Sequence, residues 1–395
     1  MISSMTRRGF VASAAMVAFG AALGNMGSEV AWADTRTITN LDGSTFEAPD
    51  PVTRIAAIYG PAYESLVVLG VEELIVVQGG FTPNNYPWCD VVFKTPRVPT
   101  KIKFMSDLNM EELLSYSPDF VVNFNHPDST KLMEEAGLCV MPVVSTPEFE
   151  FTRDLLVTLA DAINTDEAIS TAQRYCEYYD EKVAFVKERI AQVAEEDYPS
   201  VYFAQGSILS TIGKGSNEAL VTMIGIAGGR CVTSDVEVQM LADFSPEQIA
   251  EWNPDIILLD HVGRGADHYE SDPWTEQLDE IMTNEQYSTI TAVQNGDVYA
   301  APSGVFFWDS GVQRILLLLW TAQKLHPELF EDLDMAKEVQ DFYAEFFRTD
   351  LSYDQAQMIM DRELPCVDEE GNVLTGDAAK EAAAEFMAAK QESAA

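Results

Sequence analysis

The sequence predicts an α/β fold of two similar lobes with largely parallel sheets, joined by one long α-helix. Three observations carry that reading. Short apolar runs alternate with amphipathic ones from about residue 52 to 160, and the alternation restarts near 200. Between them, residues 165–196 contain no Gly or Pro and place apolar residues in steps of three and four. One phrase occurs twice, as "NMEELLSYSPDFVV" from Asn109 and "SPEQIAEWNPDIIL" from Ser245. Its copies match at Glu111/Glu247, Tyr116/Trp252, Pro118/Pro254 and Asp119/Asp255.

Taken in order, residues 1–33 read as an export signal and stand outside the fold. Arg7 and Arg8 supply the charged region, Val11–Leu23 an Ala-rich apolar stretch, and Ala31-Trp32-Ala33 a small-x-small cleavage site before Asp34. That stretch is shorter than the ~20 apolar residues that span a bilayer. Thr6-Arg7-Arg8-Gly9-Phe10-Val11 resembles the twin-arginine export motif; an ordinary secretory signal is the alternative. Either way the mature protein is expected outside the cytoplasm, in a periplasmic or similar compartment. The first cysteine is Cys89, so no lipoprotein cysteine follows the signal.

The N-terminal lobe is assigned to 34–164. "RIAAIY" reads as a buried strand, "GPAYESLVVLG" as a helix stopped by Gly70, and "ELIVVQGG", "VVNF" and "CVMPVV" as further strands, with "DSTKLMEEAG" helical. The connector, 165–197, is one amphipathic helix with Ala168, Ala172, Tyr175, Tyr179, Val183, Val186, Ile190 and Val193 on its apolar face. Extended to residue 196 it would run roughly 45–50 Å. The C-terminal lobe, 198–363, repeats the alternation through "SVYFAQGS", "NEALVTMIGIAGG", "IILLDHVG" and "DVYAAPSG", and ends in helices. The Ala/Glu-rich tail, 364–395, carries no motif.

Composition narrows the function. A chain of 395 residues has room for two cores. With 64 acidic and 24 basic side chains it carries a net charge of -40, which opposes binding to nucleic acid or to anionic lipid. The five cysteines (89, 139, 176, 231, 366) form no CxxC or Cys/His cluster, so no structural zinc or other metal site is expected. No HExxH, GxSxG, Walker A or GxGxxG motif occurs, and no catalytic residue is nominated.

The repeated phrase reads as a helix start. Asn109 and Ser245 are N-caps, and Glu112 and Gln248 are placed to close capping boxes. Pro118 and Pro254 stop each helix before a buried strand. Glu111 and Glu247 then fall in the first turn, exposed at equivalent points of the two lobes. Compensation of the helix dipole explains one such acid; a matched pair suits docking on a partner with paired basic patches.

In order along the chain, "PVTRIAAIYGPAYESLVVLG", "NMEELLSYSPDFVV", "AGGRCV", "FSPEQIAEWNPDIILL" and "AVQNGDVY" resemble the class III substrate-binding proteins of ABC importers. These serve ferric siderophores, haem, cobalamin and some oxyanions. The resemblance covers nearly the whole mature chain. It implies Rossmann-like lobes, a ligand cleft between them, and docking on a membrane permease through Glu111 and Glu247. It also implies a monomer with no resident cofactor. Its ligand would be a metal chelate, haem or corrinoid, or alternatively an oxyanion such as molybdate or tungstate. "WDSGVQRILLLLWTAQKLHPELF" is similar to the subgroup of iron or metal-chelate binders, but Ser310-Gly311-Val312 stands where many relatives have a more basic element.

Loops at strand ends then supply the candidate ligand residues: Tyr59, Phe81, Trp88, His126, Gln205, Arg264, Trp308 and Arg314. Aromatic faces suit a macrocycle or aryl chelate, and Arg264 and Arg314 suit carboxylates or an oxyanion. Trp308 and its neighbour Phe307 also fit a core, and Arg314 also fits a pair with Asp309. His126, His261 and His268 lie too far apart in sequence to form a compact metal site. An exported enzyme on a two-lobed fold, or a scaffold without ligand, are the competing functions.

Overall fold

The computed structural model describes residues 34–78, 88–93, 108–215, 218–238, 241–260 and 273–363, with positions 365, 373, 374, 378 and 381 beyond them. The export signal, Phe81, His261, Arg264, His268, Cys366 and most of the tail lie outside the described residues. The chain divides into two compact units. Unit 1 comprises Met1–Phe81, Arg97–Val144 and Leu155–Ala172; unit 2 comprises Thr82–Pro96, Ser145–Asp154 and Gln173–Ala395.

Unit 1 begins with an antiparallel hairpin, β1 (Thr35–Thr39) and β2 (Thr45–Pro49). The chain then runs through β3 (Ile55–Ala57), α1 (Gly60–Val68) and β4 (Ile75–Gln78). After α2 (Trp88–Val92), which belongs to unit 2, come α3 (Met110–Ser115), β5 (Phe120–Phe124), α4 (Pro127–Glu135) and β6 (Cys139–Val143). The sheet order is β4-β3-β5-β6, and every pairing is parallel. Near-continuous apolar sequence such as "FVVNF" and "CVMPV" is what a parallel sheet covered on both faces requires.

The steps β3→β4 and β4→β5 run in opposite directions along that sheet. Right-handed crossovers therefore place α1 and α3 on opposite faces. Packing agrees: Ala56, Ile58, Val77 and Val121 form one cluster with Leu113 of α3 and Met133 of α4. By alternation along a strand, Ala57, Gln78 and Val122 point to the other face, that of α1.

α5 (Phe151–Ile163) precedes the long α6 (Asp166–Ile190), and the division between units falls within α6, after Ala172. Ala168, Ala172, Tyr175, Tyr179, Val183, Val186 and Ile190 are all buried, as its periodicity predicts. The helix has 25 residues, about 37 Å, and is shorter than the sequence suggested. Glu195, Glu196 and Asp197 would load the negative end of its dipole with acids. They form instead the first turn of a separate 3-10 helix, and Val193 is only half-buried.

Unit 2 continues through β7 (Ser200–Gln205), β8 (Ser207–Thr211), β9 (Lys214–Gly215), α7 (Glu218–Ile226), β10 (Arg230–Cys231), β11 (Glu237–Val238) and β12 (Ala242–Asp243). Then follow α8 (Pro246–Trp252), β13 (Ile256–Asp260), α9 (Pro273–Thr283), α10 (Thr291–Asn295) and β14 (Val298–Ala300). The helices α11 (Arg314–Leu325), α12 (Met335–Phe346) and α13 (Tyr353–Met360) close the unit. Its main sheet runs β12-β8-β7-β13-β14 with β10 beside β7; β7, β13 and β14 are parallel, and β8 is antiparallel to β7. Within unit 2, α6 is tied to α12 by Tyr178 Oη on Glu338 at 2.8 Å and by the Lys182–Glu338 ion pair at 2.7 Å.

Candidate functional site

The repeated phrase is a repeat of structure. From Asn109/Ser245 to Val122/Leu258, exposed, half-buried and buried positions coincide at every step. Asn109 Oδ1 accepts from Glu112 N at 3.1 Å and Ser245 Oγ from Gln248 N at 3.3 Å, so both N-caps form. The reciprocal arm forms in neither box: Glu112 Oε2 accepts from the Asn109 side-chain Nδ2 at 3.4 Å, and Gln248 Nε2 turns to Glu251 Oε2 at 3.2 Å. Ser117 and Asn253 follow the two helices in the left-handed region, at φ 49° and 45°. Glu111 and Glu247 are both exposed. The Glu247 carboxyl is held below the usual carboxylate range by its own backbone N–H and by the Ser245 hydroxyl.

At the carboxyl edge of the unit 1 sheet, β3 passes through Tyr59 straight into α1. Tyr59 stacks at a tilt on Phe124, ring centroids 5.5 Å apart. His126 is half-buried, and its Nδ1 caps α4 by accepting from Ser129 N at 3.4 Å; Ser129 Oγ also lies 3.1 Å away. Two carboxamides that the loop-based reading missed stand at the strand ends. Gln78 closes β4 and Asn123 is the fourth residue of β5; they are 4% and 1% exposed. Gln78 Nε2 and Asn123 Oδ1 have no hydrogen-bond partner among the described residues. Such atoms are costly in an interior.

At the corresponding edge of unit 2, Gln205 and Asp260 end the paired strands β7 and β13 in register, and both are buried. Gln205 Nε2 donates to Asp309 Oδ2, and Ser310 Oγ donates to Asp309 Oδ1 at 2.7 Å. Arg314 Nε donates to the Asp309 carbonyl at 2.7 Å, and its guanidinium lies over the Phe151 ring, 5.8 Å from the centroid. A cation at the first residue of a helix is opposed by the dipole, so the carbonyl and the ring face hold Arg314 where it is.

Below this edge, Gln313 organises the loop 301–313. Its Oε1 accepts from Trp308 Nε1 at 3.1 Å and from Tyr343 Oη at 2.7 Å, while its Nε2 donates to the Phe306 carbonyl at 3.5 Å. Trp308 is thus fully buried with its N–H satisfied. Trp88 is likewise buried, and donates to the Glu363 carbonyl at 3.0 Å. In this arrangement both rings serve packing within unit 2.

The strand ends carry a signal that the loop-based reading used only at Gln205. "IVVQ", "FVVNF", "SVYFAQ" and "IILLD" are apolar runs that turn polar at or next to their carboxyl end. Such a residue remains buried yet faces the edge where α/β sheets bind ligands. Among the described residues no group of three or more His, Cys, Asp or Glu side chains is placed to hold a metal ion. No described helix is long and apolar enough to cross a membrane.

The periplasmic binding protein family matches residues 55–305. The molybdate-binding protein MolA of Haemophilus influenzae is 26% identical over 272 residues, covering 64% of this chain and 73% of MolA. A periplasmic solute-binding protein of Veillonella parvula superposes with TM-score 0.64 at 23% identity, over 83% of this chain and 97% of its own. CeuE of Helicobacter pylori with Ni(II) bound superposes with TM-score 0.66 at 20% identity, over 82% of this chain and 99% of its own.

Proposed function

This chain belongs to the periplasmic binding protein family, and on that premise we propose that it captures a metal-centred solute and hands it to a membrane permease through Glu111 and Glu247. A solute-binding protein of an ABC importer binds and releases; it does no covalent chemistry. The observation that carries the docking half is the structural repeat. Two acids, each exposed in the first turn of a capped helix, recur in surroundings that match position by position. Fixed, solvent-facing charges of this kind steer association and set register with a basic partner. Export would place them outside the cytoplasmic membrane, where such a permease is met.

For the ligand, the first reading is a chelate: a ferric siderophore, haem or corrinoid, resting on the Tyr59–Phe124 aromatic pair. The second is an oxyanion, and MolA, a molybdate-binding protein, favours it. Charge reversal tests the docking. With ligand affinity unchanged, Glu111→Lys and Glu247→Lys should each abolish uptake through the cognate permease. Full uptake by the double variant would refute the role of these residues.

A further inference from the structure

We infer that Gln78 and the N-terminus of α1 form an anionic-oxygen subsite in unit 1, taking either a free oxyanion or the carboxylate of a larger ligand. The inference rests on the receptor reading and adds the chemical class of what is recognised.

α1 has nine residues, Gly60–Val68, and starts where β3 ends. Its cap residue Tyr59 makes no side-chain cap, its first turn holds no acid, and Pro61 occupies an early position. The first-turn N–H groups of a helix have no partner within the helix. In α1 these are the N–H groups of Gly60 and Ala62, because Pro61 has none and Tyr63 N donates to the Tyr59 carbonyl at 3.1 Å; they sit at the positive end of the dipole among buried residues.

A helix start alone identifies nothing. The independent observation is Gln78. It lies on β4 directly opposite Ala57 of β3, three residues before the helix begins. Its side chain points to the face that carries α1, because Val77 packs in the opposite cluster. It is 4% exposed, and its Nε2 donor has no hydrogen-bond partner among the described residues. A buried amide donor beside an uncapped helix start calls for an acceptor, and negative charge suits both. The acid of α1, Glu64, lies one turn further along and is itself buried. Tyr59 and Phe124 flank the same edge and offer a face to a larger, carboxylate-bearing ligand.

The test titrates the full mature chain with sodium molybdate and, separately, with haem, whose propionates supply carboxylates. A neutral ferric hydroxamate chelate is the third arm. Wild type is compared with Gln78→Met, which removes the donor at nearly constant length, and with Gln78→Glu, which sets a carboxylate against the anion. The expected result is binding of molybdate or haem that weakens about tenfold or more in Gln78→Met and vanishes in Gln78→Glu. The melting temperature of unliganded Gln78→Met should stay level or rise, because an unsatisfied buried donor has been removed. Molybdate dependence identifies a free oxyanion, and haem dependence a ligand carboxylate. Unchanged affinity in both variants overturns the inference, as does a large fall in unliganded melting temperature, which marks Gln78 as structural. Binding of the hydroxamate chelate alone, indifferent to Gln78, overturns it while the receptor reading stands. No binding in any arm counts against both.

Discussion

Asp119 and Asp255 stand in the same relation to their sheets: each precedes a central parallel strand and bonds the chain entering the strand beside it. Asp119 Oδ2 accepts from Thr53 N and Asp119 Oδ1 from Arg54 N, both at 2.9 Å. Asp255 Oδ2 accepts from Ser200 N at 2.8 Å and Ser200 Oγ at 2.6 Å. The first strand pair then opens at Ile55↔Phe120 and the second at Val201↔Ile256. Each carboxylate thus fixes the register that carries an exposed glutamate helix on one side and a polar strand end on the other.

Asp119→Ala and Asp255→Ala should each destabilise the protein by about 1.5–3 kcal/mol, the range for hydrogen bonds to a charged acceptor. The two aspartates share no partner, so their effects should add in the double variant. Urea unfolding curves measure this; a neutral effect at either site would show that register is set elsewhere.

Gly304→Ala should destabilise by about 1–3 kcal/mol. A Cβ there would collide with Tyr343 Oη and stand 3.2 Å from Gln313 Oε1. That hydroxyl is already engaged with Gln313 and with Val305 N at 3.3 Å. Solvent denaturation should show the loss, and Gly304→Ala paired with Tyr343→Phe should recover part of it.

The thiols of Cys139, Cys176 and Cys231 are free. Burial, with Asp119 and Glu47 nearby, pushes the Cys139 thiol up to about 11, and burial also raises Cys231. A raised thiol pKa favours the folded state fully below the ordinary thiol range. Its contribution falls as pH climbs from about 9 toward 11. Iodoacetamide at pH 8 should leave Cys139 and Cys231 unmodified until the protein is unfolded, as mass spectrometry of labelled peptides would show.

Glu247 gives the opposite sign. Its lowered pKa keeps the carboxylate charged at mildly acid pH, and its contribution is lost only as pH falls through that lowered value. Permease-dependent uptake in proteoliposomes should therefore be level between pH 7.5 and 5.5, whereas Glu247→Gln should lower it throughout. A wild-type decline across that range that disappears in Glu247→Gln would contradict the assignment.

Much of this was legible in the residues. Periodicity located α6 and seven of its buried positions, and the caps at Asn109 and Ser245 announced two helices that the structure contains. The end of α6 was missed because no Gly or Pro marks it; an acidic run acting on the dipole does. The site was harder. Loop aromatics read in sequence as ligand faces, yet Trp88 and Trp308 pack inward with their N–H groups satisfied by Glu363 and Gln313. Gln78 and Asn123 were passed over because each reads as the polar end of an apolar strand. Their unsatisfied atoms emerge only when strand register is known.

The most direct test of the central claim is native mass spectrometry of the mature protein isolated from its own host, joined to an absorption spectrum. The account predicts a one-to-one complex with a small solute that leaves unchanged when the protein is denatured. A chain that carries no solute under any growth condition, or that converts the solute while holding it, would contradict the claim.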